Sequence, residues 1–140
     1  MDHVAIMKKS WGLIPKIVSG EKAIESRWYQ QKRAPWNKIT AGDTIFFKNS
    51  GEAVSTSATV ERVLQFVIDG TQSIVPIIEK YGKKICLLNP DPAQWNKVPK
   101  YCILVELKNP QKIKPFHINK KGFGSACAWL TIDNINKIRI

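Results

Sequence analysis

Histidine, cysteine and acidic residues are all scarce in this chain of 140 residues, and each shortage excludes a class of chemistry. The two histidines, His3 and His117, lie far apart in sequence. A metal site would have to gather carboxylates and thiols from distant segments, and no spacing in the chain supports one. The three cysteines, Cys86, Cys102 and Cys127, are widely separated and odd in number, with no Cys-x-x-Cys pair. They exclude a complete disulfide framework and read as buried free thiols. No apolar run approaches the roughly 18 residues that a membrane-spanning helix needs. The stretch Met1 to Met7 carries a charge at Asp2 and only a short apolar segment, so it reads as a strand rather than a signal peptide. The expected location is therefore the cytoplasm, with no metal, no cofactor and no membrane partner.

What the chain has in excess is positive charge. Lysine and arginine total 22 against 11 acidic residues, a net charge of +11. A field of that sign concentrates polyanions, and release of counterions from phosphates drives their binding. A solvated basic face, a membrane-surface patch and a nucleic-acid interface all fit the number. The chain shows no lipidation motif and no basic amphipathic helix to favour the membrane. The apolar fraction of 44% is that of a globular protein, and the length suits one domain spanning residues 1–140.

Residues 3–8 read as a first strand. Leu13, Ile14, Ile17 and Val18 share one face of a short helix that holds Pro15 in its first turn and stops at Gly20. Lys22 to Tyr29 alternates as a strand, and a loop rich in Gln, Lys, Pro and Trp follows from Gln30 to Ala41. Gly42-Asp43 turns into a strand over Thr44 to Lys48, which pairs through Asn49-Ser50-Gly51 with a longer one from about Ala53 to Leu64. Ser73 to Gly82 is expected as a helix capped by Ser73, with Pro76 in its first turn and Ile74, Ile77, Ile78 and Tyr81 as its apolar stripe. Tyr101 to Leu107 reads as a strand, with weaker candidates at Lys112 to His117 and Ala126 to Ile132. Strands joined by hairpins with two short helices predict an α+β fold, a compact mixed barrel.

The densest chemistry lies between Gly20 and Lys48. On a strand, Ile24 and Trp28 face the core while Glu25 and Arg27 share the opposite face, with Lys22 at the strand's mouth. A carboxylate between two cations stays ionised and holds both in fixed orientation, an arrangement suited to a base edge or a phosphate. The same residues also fit an exposed ion pair of no function.

The segments Gly20-Glu21-Lys22-Ala23-Ile24-Glu25-Ser26-Arg27, Arg33-Ala34-Pro35-Trp36 and Ile39-Thr40-Ala41-Gly42-Asp43-Thr44-Ile45-Phe46-Phe47-Lys48 resemble an ASCH domain. The family pattern is G-x-K-x-x-E-x-R after a short helix, then G-D leading into a strand, and the likeness runs from about residue 10 to 66. It implies a PUA-like fold, a small mixed β-barrel flanked by short helices, with a cleft beside the signature strand. Relatives in that superfamily bind RNA, and ASCH domains are associated with nucleic-acid binding. Some small members are enzymes, one type an amidohydrolase on N4-acetylcytidine and another cleaving RNA. In the amidohydrolase the residue three after the lysine is a nucleophilic threonine. Here Glu25 stands there, and a carboxylate cannot replace a hydroxyl in that acyl transfer.

These readings place an RNA, another nucleic acid or a nucleotide-like small molecule in a cleft lined by Lys22, Glu25, Arg27, Trp36 and Lys48. Trp36 is assigned to the cleft because three cations and a proline surround it, whereas Trp28 and Trp129 are expected in the core. Arg33, Lys38, Lys120 and Lys121 are the expected phosphate contacts, the last two in a tight Lys-Lys-Gly-Phe-Gly-Ser turn. If the protein is an enzyme instead, Lys22 and Glu25 are the reacting pair on RNA or a modified nucleoside, with Ser125 as a third member. Lys22→Ala and Arg27→Ala are expected to weaken binding with the fold intact.

Overall fold

A computed structural model describes residues 1–87, 89–124 and 126–140. Six strands, β1 (Asp2–Met7), β2 (Ile24–Tyr29), β3 (Thr44–Asn49), β4 (Val54–Val67), β5 (Tyr101–Phe116) and β6 (Trp129–Ile132), form one sheet in the order β2-β5-β4-β3-β1-β6. All pairings are antiparallel except β1 with β3. The sheet curls until its edges approach. Arg27 on edge strand β2 donates from Nη1 to the carbonyl of Ala128, 3.3 Å away, just before the opposite edge strand β6. This is an α+β half-barrel, the mixed barrel that the strand pattern predicts and the PUA-like fold that the resemblance implies.

Alternation along the strands divides the interior. Ala5, Met7, Ile45, Phe47, Ile103 and Val105 point into the curl, where helix α1 (Leu13–Ser19) plugs it with Leu13, Ile14 and Ile17. On the other face of β2 and β5, Ile24, Cys102 and Leu104 pack against Ile74, Ile77 and Ile85 of helix α2 (Thr71–Ile85). A third cluster, with Val4, Leu130 and Phe116, covers the outer side of β1 and β6. Gly20 ends α1 at φ 85°, a left-handed turn that costs a residue without a Cβ little.

Two elements differ most from the sequence reading. Helix α2 begins at Thr71 and runs through Gly82 to Ile85, because Ile85 follows Tyr81 by four residues and extends the buried stripe. Pro76 is therefore inside the helix rather than in its first turn. Ser73 is no cap; its hydroxyl closes back on the backbone N–H and carbonyl of Asp69. The weak strand at Lys112 to His117 is the far half of β5, which crosses Pro110 without ending. Ser57 pairs with Gln111 and Thr59 with Lys108, so Asn109 and Pro110 bulge out opposite Ala58 where no N–H is needed.

Candidate functional site

Lys22, Glu25 and Arg27 do converge. The Lys22 side chain is buried, with 2% of the residue exposed. Its ammonium donates to the carbonyls of Ile24 at 2.9 Å and Ile85 at 2.5 Å, and lies 3.4 Å from Glu25 Oε1. The Ile85 carbonyl is at the C-terminal end of α2, where the helix dipole favours a cation. The backbone holds the lysine in place from both sides. Lys22 N–H donates to Lys16 at the end of α1, and Ala23 N–H donates to Lys84 at the end of α2. Two carbonyls and one carboxylate thus surround the ammonium, so this lysine is spent on holding its surroundings together.

Glu25, 3% exposed, also accepts the backbone N–H of Ser26 on Oε1 at 2.9 Å. Its Oε2 lies 3.4 Å from Arg27 Nη2 and has lone-pair capacity left. Arg27 in turn reaches Met7 Sδ at 3.5 Å, and its guanidinium lies 5.0 Å from the ring centre of Trp129. The carboxylate thus stands between two cations, buried, which removes the exposed ion-pair reading.

These groups line a cavity of about 370 Å³ beside edge strand β2. One wall is the link from β1 to α1, with Trp11 and Leu13; another is the last turn of α2 and the residues after it, with Ile85, Cys86, Leu87 and Asn89. Because β2 is an edge strand, residues from both its faces reach the space, Trp28 and Ser26 from one and Tyr29 with the charged pair from the other. Trp28 donates its indole N–H to Ser26 Oγ at 3.0 Å, which fixes the ring. Tyr29 donates to the Ala34 carbonyl at 3.0 Å, and burial pushes its phenol above the usual value against the lowering effect of Arg27. Such a site, apolar and aromatic with one carboxylate and one guanidinium in its lining, accepts a flat guest with hydrogen-bonding edges.

Other predicted residues lie elsewhere. Trp36 does not line the cavity. Gln65 of β4 clamps its loop, accepting from Asn37 N–H at 2.7 Å and donating to Asn37 Oδ1 at 2.8 Å. That turns Trp36 inward onto Tyr101, with ring centres 5.0 Å apart. Lys48 is also absent from it. Phe47 takes the face inside the curl, so Lys48 is left on the outer one, where burial and then the charge of Lys120 hold its ammonium below the usual lysine value. Arg33 stacks on Tyr29 at 5.8 Å and borders a small hollow with Ala126 to Trp129, while Lys38 and Lys121 are exposed and Lys120 is half-buried. Ser125 lies outside the described residues. Trp28, expected in the core, is half-buried and forms a cavity wall together with the exposed Trp11. The sequence does contain one signal for the missing wall, the continuation of the α2 stripe to Ile85.

Solved structures share this architecture. The chain matches the crystal structure of an ASCH protein from Zymomonas mobilis with a TM-score of 0.68, over 94% of this chain and 87% of that one, at 17% identity. The fold is that of an ASCH domain. A tyrosine-to-phenylalanine mutant of the same protein matches with a TM-score of 0.70 over 97% of this chain and 93% of that one, at 17% identity. A serine-to-alanine mutant matches at 0.69, over 97% and 91%, with 16% identity. No protein-family model and no curated protein matches the sequence. The likeness of fold covers 94–97% of the chain, beyond the segment where the sequence likeness runs. Among the described residues, no group of three or more His, Cys, Asp and Glu side chains could hold a metal ion, and no helix is long and apolar enough to cross a membrane.

Proposed function

We propose that this protein binds nucleic acid, RNA in the first place, by taking one unstacked base into the cavity beside β2. The observation that carries this reading is the buried Glu25 carboxylate in the lining of a cavity that also holds three aromatic residues, in a chain of net charge +11. Trp28, Trp11 and Tyr29 supply apolar and stacking surface for the base, and Glu25 Oε2 accepts from an amino or imino edge. Arg27 donates to a ring acceptor or a carbonyl. Single-stranded RNA is recognised in this way, by aromatic faces and Watson–Crick edges, with the positive field supplying sequence-independent affinity. Lys22 is a positioning residue in this reading, because its buried ammonium is hydrogen-bonded to two backbone carbonyls and paired with Glu25. That engagement gives no support to a reacting pair of Lys22 and Glu25.

Fluorescence anisotropy of labelled single-stranded RNA tests the proposal. Trp28→Ala removes a stacking face worth about 1–3 kcal/mol. Glu25→Gln and Arg27→Ala each remove a charge-assisted contact of about 1.5–3 kcal/mol. Affinity unchanged in all three variants overturns the cavity as the binding site.

A further inference from the structure

A second hollow of about 430 Å³ lies on the far side of Trp28, lined by that residue, Gln30, Leu87, Trp95, Lys97 and others. It shares Trp28 and Leu87 with the first cavity, so one indole forms a partition between two adjoining spaces. The second face is as firmly built as the first. Trp95 stands edge-on to Trp28, with ring centres 5.2 Å apart and planes at 76°. Its indole N–H donates to the Asn89 carbonyl at 2.8 Å, and Asn89 lines the first cavity. Gln30 Nε2 donates to the Val98 carbonyl at 2.6 Å and ties the same loop to the end of β2. Lys97 is exposed at the rim.

We propose that this hollow is a second base subsite, taking the neighbouring nucleotide of the same strand, so that the protein recognises a dinucleotide step rather than a single nucleotide. The inference rests on the base-binding reading of the first cavity. Both indole N–H groups are committed to protein acceptors, which holds the rings in place without a guest; the edge-on contact covers part of one ring, and the surface that lines each hollow is left for contact with bases. A strand that splays consecutive bases on either side of a fixed aromatic ring brings its linking phosphodiester past the partition, within the field of Lys97. A mononucleoside leaves the second space to water.

Titration of the protein with the four ribonucleoside 5′-monophosphates and the four homodinucleoside monophosphates (ApA, CpC, GpG and UpU), followed by tryptophan fluorescence, tests this. A dinucleoside monophosphate carries less negative charge than a nucleoside 5′-monophosphate, so charge alone predicts weaker binding. The expected result is the reverse, at least one dinucleotide binding about tenfold more tightly than its mononucleotide, the equivalent of ~1.4 kcal/mol. Trp95→Ala and Lys97→Ala each reduce that gain, with mononucleotide affinity kept. Trp95→Phe, which retains a ring, restores most of it and separates a lost subsite from a disturbed fold. Equal affinity for the two ligand classes, or a gain that survives both alanine variants, overturns the second subsite and leaves the first standing. Failure of every mononucleotide and dinucleotide to bind overturns both.

Discussion

Lys22 Nζ and Glu25 Oε1 lie 3.4 Å apart with both side chains almost wholly out of water. An ion pair placed there costs desolvation, which is offset only because the ammonium also has two carbonyls and the carboxylate an amide N–H. The pair is therefore a constraint on the chain as well as a feature of the cavity.

Removing one partner leaves the other charge buried and alone. Lys22→Ala is expected to destabilise the protein by about 3–5 kcal/mol, measured by urea unfolding, in place of the intact fold the sequence suggested. Lys22→Met with Glu25→Gln removes both charges and is expected to cost less than the sum of the two single changes. Strict additivity would show that the two side chains do not interact.

Acid sensitivity is expected from His3. Trp129 Nε1, a donor only, points at His3 Nδ1 at 3.1 Å, so the neutral ring carries its proton on Nε2 and donates to Asp43 at 2.9 Å. Burial, opposed by the hydrogen bond and charge of Asp43, holds the imidazole below its ordinary 6.5. The folded state then binds fewer protons than the unfolded one, so this stability is complete above pH 6.5 and declines as pH falls toward the folded value. Asp43 behaves alike at lower pH. Burial alone would raise its pKa, but the hydrogen bonds from His3 and Thr40 N–H with nearby positive charge keep it below the ordinary 3.8. Its contribution is lost as pH falls further below 3.8. Urea midpoints should drop between pH 7.5 and 5.5 in the native protein. In His3→Gln the unfolding free energy should start about 1–3 kcal/mol lower and lack that slope.

Salt should weaken oligonucleotide binding in proportion to the phosphates neutralised. For single strands the slope of log affinity on log salt is about −0.7 per contact. Arg33→Ala and Lys97→Ala are each expected to reduce the slope by roughly that amount, and Lys121→Ala, which lines neither hollow, to leave it alone. A flat salt response points to an uncharged ligand.

Alkylation offers a probe of the cavity. Cys86 lines it and is half-buried. Cys102 is fully buried, and burial pushes its thiol so far up that no thiolate forms near neutral pH. Iodoacetamide should modify Cys86 and spare Cys102, as mapped by mass spectrometry, and bound RNA should slow the reaction at Cys86 severalfold. Equal rates with and without RNA count against a guest in that space.

Alternation and turn chemistry in the sequence by themselves determined most of the elements. The hairpin of β3 and β4, the helix ended by Gly20, and the shared face of Glu25 and Arg27 follow from neighbours within a few residues, because period and φ preference are local. The charge excess likewise needs no coordinates. Only the tertiary structure decided which aromatic rings border the cavity. Trp36 is turned away by Gln65, nearly thirty residues on, and Trp28 is drawn to the rim because β2 is an edge strand. It also decided that Lys22 is committed to the Ile85 carbonyl. A side chain's partners across the fold depend on how the sheet curls and where α2 ends, and no spacing along the chain encodes those distances.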